Sequence, residues 1–117
     1  MTKEKSPVVS PKTTRTRLPS RRRGLRATLV FGAHKLHVST GEYPDGALGE
    51  IFLDFQREGS FSRDMLHAFA MAVSLGLQHG IPFVAFQRTM TNLKMEPDIL
   101  RELFKLLGEH YGEDSHD

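Results

Sequence analysis

The sequence of 117 residues holds no cysteine, no tryptophan and only two tyrosines. Without thiols these residues can form no disulfide, no thiolate metal site and no thiol redox centre. No apolar run reaches the ~18–20 residues that a membrane-spanning helix needs. No membrane partner is therefore expected. Acidic side chains are almost missing from the beginning of the chain. That opening stretch is Arg/Ser/Thr-rich, like a transit peptide, yet its prolines break up an amphipathic helix. It also lacks the apolar core of a secretory signal. A cytoplasmic protein is expected.

What is present is unevenly distributed. Residues 1–26 hold nine of the sixteen Lys/Arg and one of the fourteen acids, so a segment of about +8 precedes a body of about −6. Residues 1–24 also carry Pro7, Pro11 and Pro19 and few apolar side chains. Such composition cannot offset the entropy of ordering, which predicts a disordered basic arm over 1–24. A single small domain follows over 25–112, then an acidic tail over 113–117.

Alternation predicts the first elements. Leu25, Ala27, Leu29 and Phe31 alternate with Arg26, Thr28 and Val30, the period of a half-buried strand. Leu36 and Val38 give a second strand, joined to the first by a tight turn at Gly32-Ala33. Pro44-Asp45-Gly46 is turn chemistry and leads to a third strand, Leu48 to Phe55. A helix then runs from Ser60 or Ser62, either of which can cap it, to about Gln78. Gly80 suits the position after its end, and Pro82 suits the first turn of the next helix. That helix reaches about Thr89 and buries Phe83 and Phe86. A third starts at Pro97-Asp98, carries Ile99, Leu100, Leu103, Phe104, Leu106 and Leu107 at helical spacing, and ends at Gly112. It can pack within the chain or against a second copy. Strands first and helices after predict an α+β fold: a three-stranded antiparallel sheet with two or three helices on one face.

Few side chains form a chemical constellation. Arg17, Arg21, Arg22 and Arg23 cluster in the arm, where guanidinium forks suit phosphate or carboxylate. They are candidate phosphate- or partner-binding residues, together with Lys35. The segment from Gly41 to Gly46 is Gly-rich, but Glu42 and Asp45 would repel phosphate, so a tight turn is expected. Glu50 and Asp54 share one strand face. Pairing with Arg57, Arg63 or the arm suits them better than acid–base catalysis. His34 and His37 fall on opposite faces and His67 has no partner four residues on, so no metal site is expected.

Several longer strings carry a resemblance. RLPSRRRG at Arg17 to Gly24 and GAHK at Gly32 to Lys35 come first. TGEYPDGALGEIF at Thr40 to Phe52, REG at Arg57 to Gly59, Arg63 and Phe69-Ala70 follow. SLGLQHGIP at Ser74 to Pro82, Phe86 and Glu96-Pro97 complete the set. In that order they resemble the TSCPD domain at the C-terminal end of adenosylcobalamin-dependent (class II) ribonucleotide reductases. The residues that carry it include Gly41, Glu42, Tyr43, Asp45, Gly46, Gly49, Glu50 and Arg63. Ala33 replaces a usual glycine, and the helix after Pro97 has no counterpart within the matched strings.

The resemblance implies a link to deoxyribonucleotide synthesis and, for the family, adenosylcobalamin. Nucleotide reduction in that family uses a thiyl radical and reducing thiols, which a cysteine-free chain cannot supply. The expectation is a non-catalytic accessory or regulatory module with no catalytic residue and no cofactor of its own. It would contact a reductase subunit or a second copy of itself. Two alternatives stand beside it: nucleic-acid or nucleotide binding through the arginines, and a component of a split reductase.

Overall fold

The computed structural model describes residues 14–56, 59–94 and 98–112. Three strands come first, β1 (Arg26–Phe31), β2 (His34–Glu42) and β3 (Leu48–Gln56). Three helices follow, α1 (Ser60–Gln78), α2 (Phe83–Thr91) and α3 (Ile99–Tyr111). The strands form one antiparallel sheet in the order β1-β2-β3. The expected α+β architecture is the one found.

Register decides which side chains meet. Leu29 sits opposite Leu36, and Ala27 opposite Val38; Leu36 in turn pairs with Phe55, Val38 with Leu53 and Thr40 with Ile51. All of these lie on one face, because alternate residues of a strand share a face. The helices cover that face. The other face shows Thr28, Val30, Lys35, His37, Phe52 and Asp54 to solvent or leaves them half-buried.

The core is completed from the C-terminal end. Leu103, Phe104 and Leu107 of α3 are fully buried. Phe104 stacks on Phe83 at 5.9 Å between centroids and meets Phe69 edge-on at 6.3 Å. α3 therefore packs within its own chain. α2 buries no residue completely, and Phe83, Phe86 and Met90 are partly buried against the core.

Several junctions differ in detail from the sequence expectation. α1 is preceded by Gly59 as its N-cap, and no side chain caps it. Neither Ser60 nor Ser62 takes that place, because the helix opens one residue earlier than a serine cap would allow. Pro82 is the N-cap of α2, not its first helical residue. The C-terminal end of α1 follows expectation. Gly80 has φ 96° and its N–H bonds Leu77 O at 3.0 Å, while Ile81 N–H reaches Gly76 O at 3.0 Å. This pair of bonds is the Schellman closure, which needs a left-handed residue.

The largest difference lies in the arm. Residues 1–13, expected to be disordered, are outside the described residues, as are the tail 113–117, Arg57, Glu58, Glu96 and Pro97. Residues 14–24 are held on the body. Glu42 N–H donates to Arg23 O at 2.8 Å and Thr40 N–H to Leu25 O at 3.0 Å, which extends the pairing of β2 upstream of β1. Gly41 and Glu42, expected to belong to the turn, are thereby strand. Composition predicted disorder because it counts only what the arm can bury, not the backbone partners offered by the strand beside it.

Phe104 is the side chain through which α2, α3 and α1 share one core. Phe104→Ala should lower the unfolding free energy by about 3–5 kcal/mol, read from urea denaturation. A loss below about 1 kcal/mol would mean that α3 is not integral to the core.

Candidate functional site

The residues singled out by sequence converge on one end of the sheet, where the arm crosses the turn between β2 and β3. The turn is built by its own chemistry. Gly46 N–H bonds Tyr43 O at 2.8 Å, closing a turn around Pro44-Asp45, and Gly46 has φ 90°. Asp45 Oδ1 accepts Ala47 N–H at 2.9 Å. Asp45 is thus a turn residue, as its place between Pro and Gly predicts. The register slips between Gly41 and Glu42, so that Glu42 lies opposite Leu48 and Gly41 opposite Glu50.

Two glycines of the motif are there to let other groups approach. A Cβ on Gly41 would strike the Glu50 side chain. A Cβ on Gly49 would come within 2.7 Å of Leu18 and 2.8 Å of the Tyr43 ring. Glu50 is buried among these groups, and its Oε2 accepts Arg22 Nε–H. Arg22 Nη1 also donates to Pro19 O at 2.6 Å. One guanidinium thus fixes the arm's backbone and neutralises the carboxylate beneath it. Of the partners expected for Glu50, the arm is the one found, while Asp54 is exposed on the open face.

Glu42 has a different partner. Its Oε2 accepts the Tyr111 hydroxyl at 2.6 Å, and the same hydroxyl lies 2.8 Å from Thr40 Oγ1. Thr40 Oγ1 accepts Leu25 N–H at 2.7 Å. The last residue of α3 is thereby tied to the end of β2 and the start of β1. Burial, and then the bond to the Glu42 carboxylate, push the Tyr111 phenol up to about 12.

A third set of bonds lies on the outer edge of β3. Ser74 Oγ accepts Ile51 N–H at 2.9 Å and donates to Ile51 O at 3.2 Å. Gln78 Nε2 donates to Gly49 O at 2.9 Å. Gln78 also serves the arm: its Oε1 accepts Arg15 Nε–H, and its backbone O accepts Thr16 N–H at 2.9 Å. Tyr43 donates its hydroxyl to Thr16 O, and burial lifts its phenol above the ordinary value. Ser74, Gln78 and Tyr111 escaped the sequence-based search. The first two leave a trace, as two polar residues at i and i+4 in the otherwise apolar stretch from Ala68 to Gln78.

Arg21, Arg22 and Arg23 line a concavity of about 510 Å³ with Pro19, Glu42, Tyr43 and Pro44. Three cationic candidates do not join the arginine cluster. Arg17 is exposed on the arm outside that lining, and Lys35 is exposed on the open face, six residues along β2 from Gly41. That is roughly 20 Å at strand rise. Arg63 is exposed on the first turns of α1, and Gly46 contributes its backbone to the wall. Among the described residues no group of three His, Asp or Glu side chains comes together, and no helix is long and apolar enough to cross a membrane.

Two measurements test this end of the sheet. In a double-mutant cycle, Arg22→Ala and Glu50→Ala should couple by about 1 kcal/mol, and Arg22→Ala should speed tryptic cleavage at Arg21 and Arg23. Equal cleavage rates would show that Arg22 does not hold the arm. Tyr111→Phe should cost about 1–3 kcal/mol near neutral pH. Because the folded phenol titrates higher than the ordinary ~10, its contribution is complete below that pH and is lost as pH rises towards 12. The stability difference between the two proteins should therefore shrink over that window, followed by denaturation at several pH values.

The TSCPD domain profile matches residues 9–111, and so includes α3, which the matched strings had left without a counterpart. The chain is 46% identical over 83 residues to a vitamin B12-dependent ribonucleotide reductase of Bradyrhizobium diazoefficiens, covering 71% of this chain and 7% of that protein. The like-named protein of Agrobacterium fabrum is 45% identical over 83 residues, again 71% of this chain and 6% of the relative. That of Streptantibioticus cattleyicolor is 38% identical over 90 residues, 77% of this chain and 15% of the relative. The chain thus spans only a small part of the length of these relatives. No solved structure matches it. With nearly the whole described fold inside the matched region, the chain belongs to the TSCPD domain family.

Proposed function

We propose that this chain is a non-catalytic accessory module of ribonucleotide reduction, seated on a thiol-bearing reductase chain through the outer face of α1. The observation that carries the proposal is that face. Met71 and Leu75 are 64% and 46% exposed and line one depression with Phe52, 49% exposed, while Phe61 and Met65, 76% and 55% exposed, stand at a separate apolar groove nearer the start of the helix. From Ala68 to Leu77 the helix has no charged side chain. A solvated helix normally puts charge on its outer face, and contiguous exposed apolar surface marks a contact. The occupant is argued from length: the relatives run on into far longer chains of which this region is a small share.

The division of labour follows from composition. Reduction in the family needs thiols, and these 117 residues contain none, so the chemistry belongs to residues outside them. Adenosylcobalamin would find few partners in the apolar groove of this chain. The groove of about 520 Å³ between the sheet and α1 is walled by Phe31, Phe55, Phe61, Met65, Phe69 and Leu100, with His34 and Ser62 as its polar side chains. A corrinoid ringed with amides needs many more polar partners. Nucleic-acid binding by the arm is the weaker alternative. Arg15 and Arg22 are engaged by Gln78 and Glu50, and no row of aromatics accompanies the arginines.

The test mixes this chain with a vitamin B12-dependent reductase whose own TSCPD region has been deleted. The wild-type chain should form a complex and change turnover or its nucleotide regulation. Met71→Asp with Leu75→Asp should weaken the complex by at least roughly tenfold, with thermal stability little changed because both side chains are exposed. Absence of both complex and rate effect would refute the accessory role and the split-reductase alternative together.

A further inference from the structure

The concavity between the arm and the turn has a chemistry of its own, independent of the α1 face. Its basic side comes from Arg21, Arg22 and Arg23, and its opposite wall from Tyr43 and Pro44. Three carboxylates lie at hand, and each is engaged: Glu50 by Arg22, Glu42 by the Tyr111 hydroxyl, and Asp45, in the turn between Pro44 and Gly46, by Ala47 N–H. Arg21 and Arg23 are exposed and have no ion pair or side-chain hydrogen bond among the described residues. Arg22 is held in place through Nε and Nη1.

We propose that this concavity binds a diphosphate- or triphosphate-bearing anion, gripped by Arg21 and Arg23 beside the anchored Arg22. Guanidinium forks meet phosphate oxygens with paired, charge-assisted hydrogen bonds. A single phosphate would use one fork; two forks without a partner among the described residues call for a longer anion. The volume lies within the range of small-molecule sites. The Tyr43 hydroxyl is turned away to Thr16 O, so its ring forms a flat wall beside the arginines. Pro19 and Pro44 supply rigid walls with no N–H of their own.

The position makes the site bipartite. Every arginine comes from the arm, and Glu42, Tyr43 and Pro44 come from the body. A bound anion would therefore draw the arm further onto the turn and stabilise the fold through linkage. Glu42 sets the selectivity. Its carboxylate opposes an anion at the inner end, so the charge of the ligand must sit towards Arg21 and Arg23 at the rim.

The test uses the full chain by itself and so does not depend on any reductase. Inorganic pyrophosphate and tripolyphosphate are titrated by calorimetry at about 50 and about 200 mM salt. ADP, ATP and a short oligothymidylate are run in parallel. Arg21→Ala with Arg23→Ala should weaken pyrophosphate binding by roughly tenfold or more. Lys35→Ala with Arg63→Ala, which removes the same charge elsewhere, should change it less than about twofold. Tighter binding of ADP than pyrophosphate would identify the source of the phosphates as a nucleotide; equal binding would identify the phosphate chain alone. The inference is overturned if neither polyphosphate binds at millimolar concentration, if both double variants weaken binding equally, or if the oligothymidylate alone binds.

Discussion

When a helix buries the edge of a sheet, the strand's outward N–H and C=O groups lose water and must find other partners. In this protein the edge is β3, and α1 lies against it. Ser74 answers both backbone groups of Ile51, and Gln78 answers Gly49 O. The small residues of α1 follow from the same constraint. The helix must come close enough for a serine hydroxyl to reach the strand, and Ala70 and Val73 sit buried at that contact. Gly76 leaves room for the Phe86 ring, which a Cβ would meet at 2.7 Å. The motif string SLGLQHGIP is thus a packing solution before it is anything else.

The arm depends on that solution. Gln78 is placed by its bond to the strand and then offers its side-chain and backbone oxygens to Arg15 and Thr16. Tyr43 holds Thr16 from the other side, and Arg22 clamps onto Glu50 further along. A segment with no core of its own is ordered by borrowed partners. Its net positive charge then lies on an acidic body, and Arg17, Arg21 and Arg23 remain facing solvent. Tyr111 closes the arrangement by tying the far end of the chain to Thr40 and Glu42.

These two levels suggest a separation of roles within one small fold. The sheet end holds the motif residues and is mostly structural, with a charged concavity at its rim. The α1 face holds little of the motif glycine chemistry, yet it leaves large apolar side chains exposed. The residues that mark the family and the exposed apolar residues of α1 are different sets. The strings that identify the domain describe how it is assembled.

The sequence by itself determined the three strands, their inward residues, the Pro44-Asp45-Gly46 turn, the Gly80 terminus and the family. Each of these is local: alternation, helical spacing and positive φ are set by neighbours along the chain. It also offered the arm, beside Arg57 and Arg63, as a partner for Glu50, because the opposite charges of arm and body are visible in composition; that Arg22 is the residue is a result of the fold. Only the tertiary structure decided that residues 14–24 are held in place, that Gln78 serves strand and arm together, that Tyr111 reaches Glu42, and that Lys35 and Arg63 stand apart from the other cations. Those contacts join residues 27 to 71 positions apart. Their existence depends on how the sheet, α1 and α3 pack, and no local pattern encodes that distance.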